Sequence, residues 1–332
     1  MMKAIEILLK TVIIYIDYFW RFHMKKGLLF LLVAMLMLPL TGCGGDSTVA
    51  PSKPVDKQEQ TKEQVFTPKN DEEAIVCDNE YASVRLEEVK VDKDNNIELS
   101  VYMENKTKDQ SLSFFTWTAA VNGIQIDPMY GDELEPSTNK TAKVQIPTTY
   151  LEMCQIDTYN EISITFNVYD VENMDEEFVA KGTLNFYPYG KEKAEQFVLP
   201  MDDSYKVLMD EKDIKIVSLG LQDNEALGYC GMLYIQNDSD RSITASIDES
   251  SIDNVAADIF AYIEVDANNV GFVEVYWTGE APMEYDENGQ PIPSDIEVPD
   301  PATAKDIKIE LSVYDTEDWE GPHIFYETVD LK

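Results

Sequence analysis

Basic residues and histidine are scarce in this sequence. It has 26 lysines and arginines against 63 aspartates and glutamates, a net charge of −37 at pH 7. This balance argues against binding to DNA or RNA, because phosphate contacts require clustered cations. The two histidines, His23 and His323, stand near opposite ends of the chain, and a histidine-based catalytic centre would have to use His323. We predict no catalytic residue, no metal ligand and no cofactor.

Cysteine is also scarce, and the four cysteines lack the paired C-x₂-C spacing of zinc sites. Cys43 belongs to the N-terminal pattern described next, and Cys230 is the single cysteine in the second half of the chain. Cys77 and Cys154 both lie in the first half. In an exported protein, these two cysteines are the candidates for a disulfide.

The longest apolar run, Gly27 to Leu40, is shorter than the roughly 20 residues that cross a bilayer. Lys25 and Lys26 precede it, and Leu40-Thr41-Gly42-Cys43 closes it. A charged head, a short apolar run and small residues at the end are the layout of a secretory signal peptide.

The residues Leu40, Thr41 and Gly42 before Cys43 resemble the lipobox of bacterial lipoproteins. The resemblance implies a lipoprotein signal peptide at 24–42 and a lipid on Cys43, the first residue after cleavage. It also implies an exported protein held on the outer face of the cell membrane, with the membrane as its first partner.

The segments on either side of this signal are predicted to lie outside any folded domain. Residues 1–23 are read as an upstream mis-start or an extra apolar segment, since Met24 with its two lysines looks like the natural start. Residues 43–70 are rich in proline and polar side chains without an apolar period, which predicts a disordered tether.

The rest of the chain is a duplicated pattern of short alternating strands. The spacing of apolar residues in Val84–Val89 recurs in Ile214–Leu219, and both copies shift phase at the same point, which predicts a β-bulge in each. Ile162–Asp170 and Ile307–Asp315 likewise alternate apolar and polar residues in the same order. Such alternation is typical of strands with one face on a core and one face in water.

About seven strands per copy predict an all-β protein of two tandem β-sandwich domains, at 71–190 and 206–332. This layout resembles the immunoglobulin-like (telokin-like) domains of cell-envelope lipoproteins of Gram-positive bacteria. The resemblance implies that the domains are two immunoglobulin-like sandwiches.

Two departures from the repeat supply the candidate binding residues. The second copy has a longer connection, 276–306 against 147–161, which carries Trp277 and Tyr285. A second loop, 315–323, carries Trp319. Aromatic residues on end loops of sandwiches can anchor a partner, here an unidentified extracellular protein or glycan. The alternative is that Trp319 caps its own core and the long connection is decoration.

These observations favour a non-enzymatic, membrane-anchored surface lipoprotein that serves as a binding or spacer module of the cell envelope. A cell-envelope hydrolase using carboxylates is the first alternative, because acid–base cleavage of a glycoside requires only two carboxyl groups. A calcium-dependent adhesion module is the second. The stretch Asp92–Asn96 begins like a calcium loop, but the glycine and the distal glutamate of such a loop are missing, so we expect a turn.

Overall fold

The computed structural model describes residues 63–173, 178–224, 228–285, 291–292 and 296–331. They belong to one compact unit, Gln60–Lys332. The predicted segments 1–23 and 24–42 lie outside these residues, as does most of the predicted tether. No helix in the described residues is long and apolar enough to cross a membrane.

The regular secondary structure of the described residues is almost entirely β-strand. In the first copy these are β1 (Gln64–Phe66), β2 (Ile75–Asp78), β3 (Ala82–Val91), β4 (Ile97–Asn105), β5 (Leu112–Val121), β6 (Ile124–Ile126), β7 (Tyr130–Leu134), β8 (Asn139–Ile146), β9 (Ile162–Asp170) and β10 (Ala180–Phe186). One short helix, α1 (Thr149–Met153), follows β8, and single 3₁₀ turns lie at Asp71–Glu73 and Lys191–Lys193.

The second copy continues the series with shorter accessory strands. Its members are β11 (Lys206–Glu211), β12 (Ile214–Asn224), β13 (Gly228–Asn237), β14 (Ile243–Ile252), β15 (Val255–Ala256), β16 (Ile259–Phe260), β17 (Tyr262–Val265), β18 (Asn269–Trp277), β19 (Glu284–Tyr285), β20 (Pro291–Ile292), β21 (Ile307–Asp315) and β22 (Phe325–Asp330).

Sheet topology confirms the predicted all-β sandwich fold. In the first copy, β1-β3-β4-β8 forms one sheet, with β2 also on β3, and β10-β9-β5 forms the other, with β6 and β7 on β5. In the second copy the sheets are β11-β12-β13-β18 and β15-β14-β21-β22, with β17 on β14. The order β3-β4-β8 thus recurs as β12-β13-β18, and β10-β9-β5 recurs as β22-β21-β14.

Both predicted β-bulges are confirmed. The register between β3 and β4 shifts between Leu86 and Glu88, and that between β12 and β13 shifts between Ser218 and Leu221. Gly220, inside the second bulge, has a φ of +95°, a conformation that favours glycine. The extra residue explains the change of apolar phase seen in each copy.

A buried asparagine closes the end of each sandwich in the same way. The amide of Asn105 donates to the carbonyl of Leu134 at 2.9 Å, and that of Asn237 donates to the carbonyl of Val265 at 2.9 Å. Both asparagines are fully buried, and each satisfies backbone groups that the adjacent turn leaves unpaired. The duplication therefore extends to individual hydrogen bonds.

The end of the predicted disordered tether, 43–70, is ordered, which corrects that prediction. Strand β1 pairs antiparallel with β3, with Gln64 opposite Val91 and Phe66 opposite Val89. The Phe66 ring meets Tyr189 edge to face, with ring centroids 5.3 Å apart. Three residues are too few to show a period of two, so a polar, proline-rich sequence concealed this edge strand.

The two sandwiches share one ten-stranded sheet, because β6 of the first copy pairs in parallel with β18 of the second. The pairing places Ile124 opposite Val270, and the Val270 amide donates to the Gly123 carbonyl at 2.8 Å. Asn122 and Gly123 both have positive φ, +50° and +77°, in a two-residue hairpin turn between β5 and β6. This turn positions β6 against the second copy.

Side chains complete this junction, which consists of β6, β18 and the groups packed on them. The Gln125 Oε1 accepts from the Asp266 amide at 2.8 Å, and the Gln125 Nε2 donates to the Glu264 carbonyl. The buried ring of Phe272 lies 5.5 Å from that of Tyr150 and 5.4 Å from that of Tyr234, centroid to centroid. The core of the first sandwich therefore continues into the second copy.

Replacing Gln125 with alanine is expected to lower the free energy of unfolding by about 1–3 kcal/mol, because two junction backbone groups lose their partner at a buried position. Urea titration followed by circular dichroism measures this. The matched control is Gln145→Ala, whose exposed amide donates only to Glu98, with an expected change below about 0.5 kcal/mol. Equal effects of the two substitutions would contradict the role given to Gln125.

Candidate functional site

Trp319 is the predicted contact residue that the structure presents to solvent. Its side chain is 55% exposed on the loop between β21 and β22. The loop contains two consecutive turns, in which the Asp318 amide donates to the Asp315 carbonyl at 3.1 Å and the Gly321 amide donates to the Asp318 carbonyl at 2.9 Å. Trp319 does not cap the core of its own sandwich.

Asp315 fixes the base of this loop. One carboxylate oxygen accepts from the Glu317 amide at 3.0 Å and the other from the Arg241 guanidinium at 3.2 Å. Glu317, Asp318 and Glu320 surround Trp319 and are exposed. The result is an aromatic side chain on an internally hydrogen-bonded loop with an acidic rim.

The prediction that Trp277 is a contact residue is wrong. It is only 7% exposed, packs in the core of the second sandwich, and donates from its indole nitrogen to the Ser250 Oγ at 3.1 Å. The longer connection begins at the last residue of β18, so the tryptophan belongs to the strand and points inward. A loop assignment from sequence could not separate that last strand position from the loop itself.

Tyr285 lies in β19, which pairs with β20 as a short antiparallel hairpin within the long connection. Its side chain, like residues 286–290, lies outside the described part of the chain. Met283 beside it is exposed. Of the three predicted contact residues, the structure therefore gives an exposed side chain for Trp319 and a buried one for Trp277.

The candidate disulfide between Cys77 and Cys154 is wrong, since both are free thiols in the structure. Cys77 lies in β2 opposite Val84 of β3, and Val84 lies opposite Met103 of β4. Cys154 follows α1, which comes after Ile146 of β8, and Ile146 lies opposite Ile97 of β4. Cys77 and Cys154 therefore belong to different elements of the first sandwich, β2 and the segment after α1. Burial raises the pKa of both thiols to about 11, so they are protonated at neutral pH.

The stretch beginning at Asp92 forms a turn, as expected. The Asp92 carboxylate accepts from the Asp94 amide at 2.8 Å, the Asn96 amide at 3.0 Å and the Asn96 side chain at 2.9 Å. The Asn96 hydrogen bonds lower the pKa of Asp92. Across the described residues, no group of three or more histidine, cysteine or acidic side chains is arranged to hold a metal ion.

Three carboxyl groups face one another at the junction between the sandwiches. The surrounding protein raises the pKa of Asp127 to about 6, chiefly by desolvation and further by repulsion from Glu264 and Asp266. The Asp127 residue is nonetheless exposed, so screening by solvent strongly limits the free energy associated with this shift. Asp127 is therefore a carboxyl group that can be protonated in mildly acidic solution.

Replacing Asp127 with asparagine is expected to stabilise the protein at pH ~7.5 and to leave stability unchanged at pH ~3.5. The unfolded carboxyl has a pKa of ~3.9 and the folded one about 6. The folded state binds more protons in that interval, so wild-type stability falls as the pH rises through it. Urea titrations at both pH values measure the difference, which should stay below about 1 kcal/mol.

The control for this prediction is Asp202→Asn. Hydrogen bonds from the Ser204 hydroxyl and amide lower the pKa of Asp202, the opposite direction to Asp127. No stabilisation at pH ~7.5 is expected for this variant. A gain in stability of Asp127→Asn that persisted at the lower pH would contradict the assigned cause.

Sequence reasoning missed Trp117, an exposed aromatic on the first sandwich. It lies in β5 where the register with β9 shifts between Phe115 and Thr118, and its side chain is 48% exposed. The period-two alternation of β5 turns Phe114 and Thr116 inward and could have indicated that 115 and 117 face outward.

Comparison with known proteins leaves the family open. No family model matches the chain, and no curated protein matches it. Among solved structures, the crystal structure of YadV chaperone aligns at 11% identity over 70% of this chain and 92% of that chain, with a TM-score of 0.21. At this identity and TM-score, the likeness supports no statement about this chain's ligand or assembly.

Proposed function

We propose that the chain is a non-enzymatic lipoprotein of the cell envelope, anchored on the outer face of the cell membrane through Cys43. Its duplicated sandwich acts as a binding module for an extracellular protein or glycan. The anchor is supported by the cationic head, the short apolar run and the small residues Leu40, Thr41 and Gly42 before Cys43. Trp319 supplies the contact.

The exposure of Trp319 is the observation that carries the binding role. Exposure leaves the large apolar side chain of tryptophan in contact with water, which is unfavourable. Tryptophan is also among the residues that contribute most of the binding free energy at protein interfaces. Because hydrogen bonds within the loop already hold its backbone, a partner would lose little conformational entropy in ordering it. The acidic rim of Glu317, Asp318 and Glu320 would exclude anionic partners.

The net charge supports the anchor independently. A chain with a charge of −37 is repelled by the anionic lipids of a membrane surface. Electrostatic attraction therefore cannot hold it there, and attachment requires an apolar group. The lipid on Cys43 would be that group.

Replacing Cys43 with alanine in cells is expected to shift the protein from the detergent-soluble membrane fraction to precursor or soluble forms, because the lipid attachment site is lost. Fractionation followed by immunoblotting measures the distribution. Ser47→Ala, in the same segment, is the control and should remain in the membrane fraction. Firm membrane retention of a Cys43→Ala chain that is cleaved to the mature size would contradict the role given to Cys43, because neither the lipid nor the apolar residues before position 43 would then be present.

Replacing Trp319 with alanine is expected to weaken binding of a partner captured by crosslinking on intact cells by at least about tenfold, the effect of removing a central aromatic anchor. Deletion of 279–300 tests the long connection in the same assay. Tyr326→Ala is the matched control, an exposed aromatic of the same sandwich. Unchanged binding by both the Trp319 variant and the deletion would refute the proposed contact.

A carboxylate hydrolase is the second candidate, and Asp127 is the residue that favours it. A carboxyl with a pKa of about 6 beside Glu264 and Asp266 resembles the acid–base pairing of such enzymes. Turnover by the purified chain that Asp127→Asn abolishes would establish this reading, and the stability profile of the same variant separates loss of chemistry from loss of fold.

A further inference from the structure

The outer face of the second sheet of the first sandwich carries four aromatic rings in continuous contact. Phe115 and Trp117 of β5 stack with ring centroids 6.0 Å apart and an interplanar angle of 12°. Phe115 meets Tyr169 of β9 edge to face at 5.9 Å, and Tyr169 meets Phe178 at 4.8 Å. We call Trp117, Phe115, Tyr169 and Phe178 the aromatic row.

This row is a surface feature and not part of the core. Trp117 and Phe178 are exposed, and Phe115 and Tyr169 are half-buried against their neighbours. The residues that alternate with them along β5 and β9 face inward and are fully buried: Phe114, Thr116, Phe166 and Val168. Exposed apolar side chains in contact with one another are typical of binding surfaces, whereas scattered ones are not.

The floor of the row is shaped to hold the Phe115 ring flat on the sheet. Gly131 of β7 lies opposite Phe115, and a Cβ at that position would lie 2.7 Å from the Phe115 Cε1. Any larger residue would displace the ring. Glycine here permits Phe115 to cover the strand and to extend the platform that Trp117 begins.

The second sandwich provides an internal comparison for this face. Leu112 lies opposite Asp170 in the first copy and Ile243 lies opposite Asp315 in the second, which fixes the alignment of β5 with β14. Five residues further along, Trp117 corresponds to Asp248.

The next pair along these strands shows the same contrast. Thr118 lies opposite Thr165 in the first copy, and Glu249 lies opposite Glu310 in the second. At three equivalent positions, therefore, the second copy has a carboxylate where the first has an indole or a hydroxyl. In a chain with a charge of −37, this part of the first face is uncharged.

Apart from Lys181, the polar groups beside the row are neutral hydrogen-bonding groups. The Thr165 and Thr183 hydroxyls bond to each other at 2.7 Å. Asn167, opposite both Phe115 and Lys181, has an Oδ1 without a hydrogen-bond partner. This oxygen is buried, so a ligand on the outer face reaches the two threonine hydroxyls and not the Asn167 Oδ1.

We propose that the aromatic row binds a neutral glycan. A pyranose ring has an apolar face of C–H groups, which packs on an aromatic ring, and hydroxyls at its edge that hydrogen-bond to amide and hydroxyl groups. The row supplies the rings, and the exposed hydroxyls of Thr165 and Thr183 supply the polar groups. The site is separate from Trp319 and does not depend on the function proposed for it.

Two other occupants fit the face less well. A cationic peptide would gain most from carboxylates beside the rings, which the three compared positions lack, and Lys181 already lies over the Phe178 ring at 5.3 Å. A second copy of the chain would bring a further charge of −37 against the first.

The test is calorimetric titration of the full chain with cellohexaose, chitohexaose and laminarihexaose. A polyoxyethylene detergent keeps the chain in solution without contributing a sugar head group. At least one of the three neutral hexasaccharides is expected to bind, and Trp117→Ala is expected to weaken that binding by about tenfold or more. Trp117→Asp, which installs the second copy's residue, should weaken it further.

Tyr326→Ala, an exposed aromatic at the equivalent face of the second sandwich, is the control and should change affinity by less than about twofold. Trp117→Phe keeps a ring, so retained binding by this variant guards against misfolding of the alanine variant. Absence of binding to all three sugars at up to ~5 mM would overturn the proposal. It would be equally overturned by wild-type affinity of Trp117→Ala, by binding of an octa-arginine peptide that Trp117→Ala weakens, or by self-association that Trp117→Ala abolishes.

Discussion

The architecture depends on the pairing of β6 with β18, which joins two sandwiches into one sheet. This pairing covers only one residue on each strand, Ile124 and Val270. Its strength therefore comes from the groups around it, namely the Gln125 amide bonded to two backbone groups and the Phe272 ring between Tyr150 and Tyr234. The described residues form one compact unit with two hydrophobic cores.

Carboxylates, which dominate the composition, have a structural role in addition to their charge. Asp92, Asp170, Asp202 and Asp315 each accept a backbone amide two residues ahead, and hydrogen bonds lower the pKa of the first three. Such caps satisfy turn backbone groups. The acidic surface thus supplies turn caps for both copies, whereas desolvation raises the pKa of Asp127 and Glu274.

The fold was largely predictable from the sequence, while the side-chain environment was not. Alternation and duplication fixed the sandwich class and both bulges, because a period of two is a direct consequence of strand geometry. The strand at Gln64–Phe66 was not predicted, because three residues are too few to show a period of two. Trp277 and the Cys77–Cys154 pair were misread because inward direction and distance between elements are properties of tertiary packing. Trp117 was not among the predicted contact residues, because those residues came from loops that depart from the repeat. The alternation along β5 nevertheless places residue 117 on the outer face.

The junction also bears on how copies of the chain could pair with one another. It is formed by two different surfaces, β6 of one copy and β18 of the other, and an interface of that kind can in principle propagate head to tail into a filament. The second-copy equivalent of β6 is β15, and the first-copy equivalent of β18 is β8. In such a filament, β15 of one molecule would have to pair with β8 of the next. Strand β15 has only two residues, Val255–Ala256, and β8 carries Lys140 and Lys143. A shortened strand and edge lysines are how sheets resist further pairing, so these two edges are poorly suited to extend the sheet.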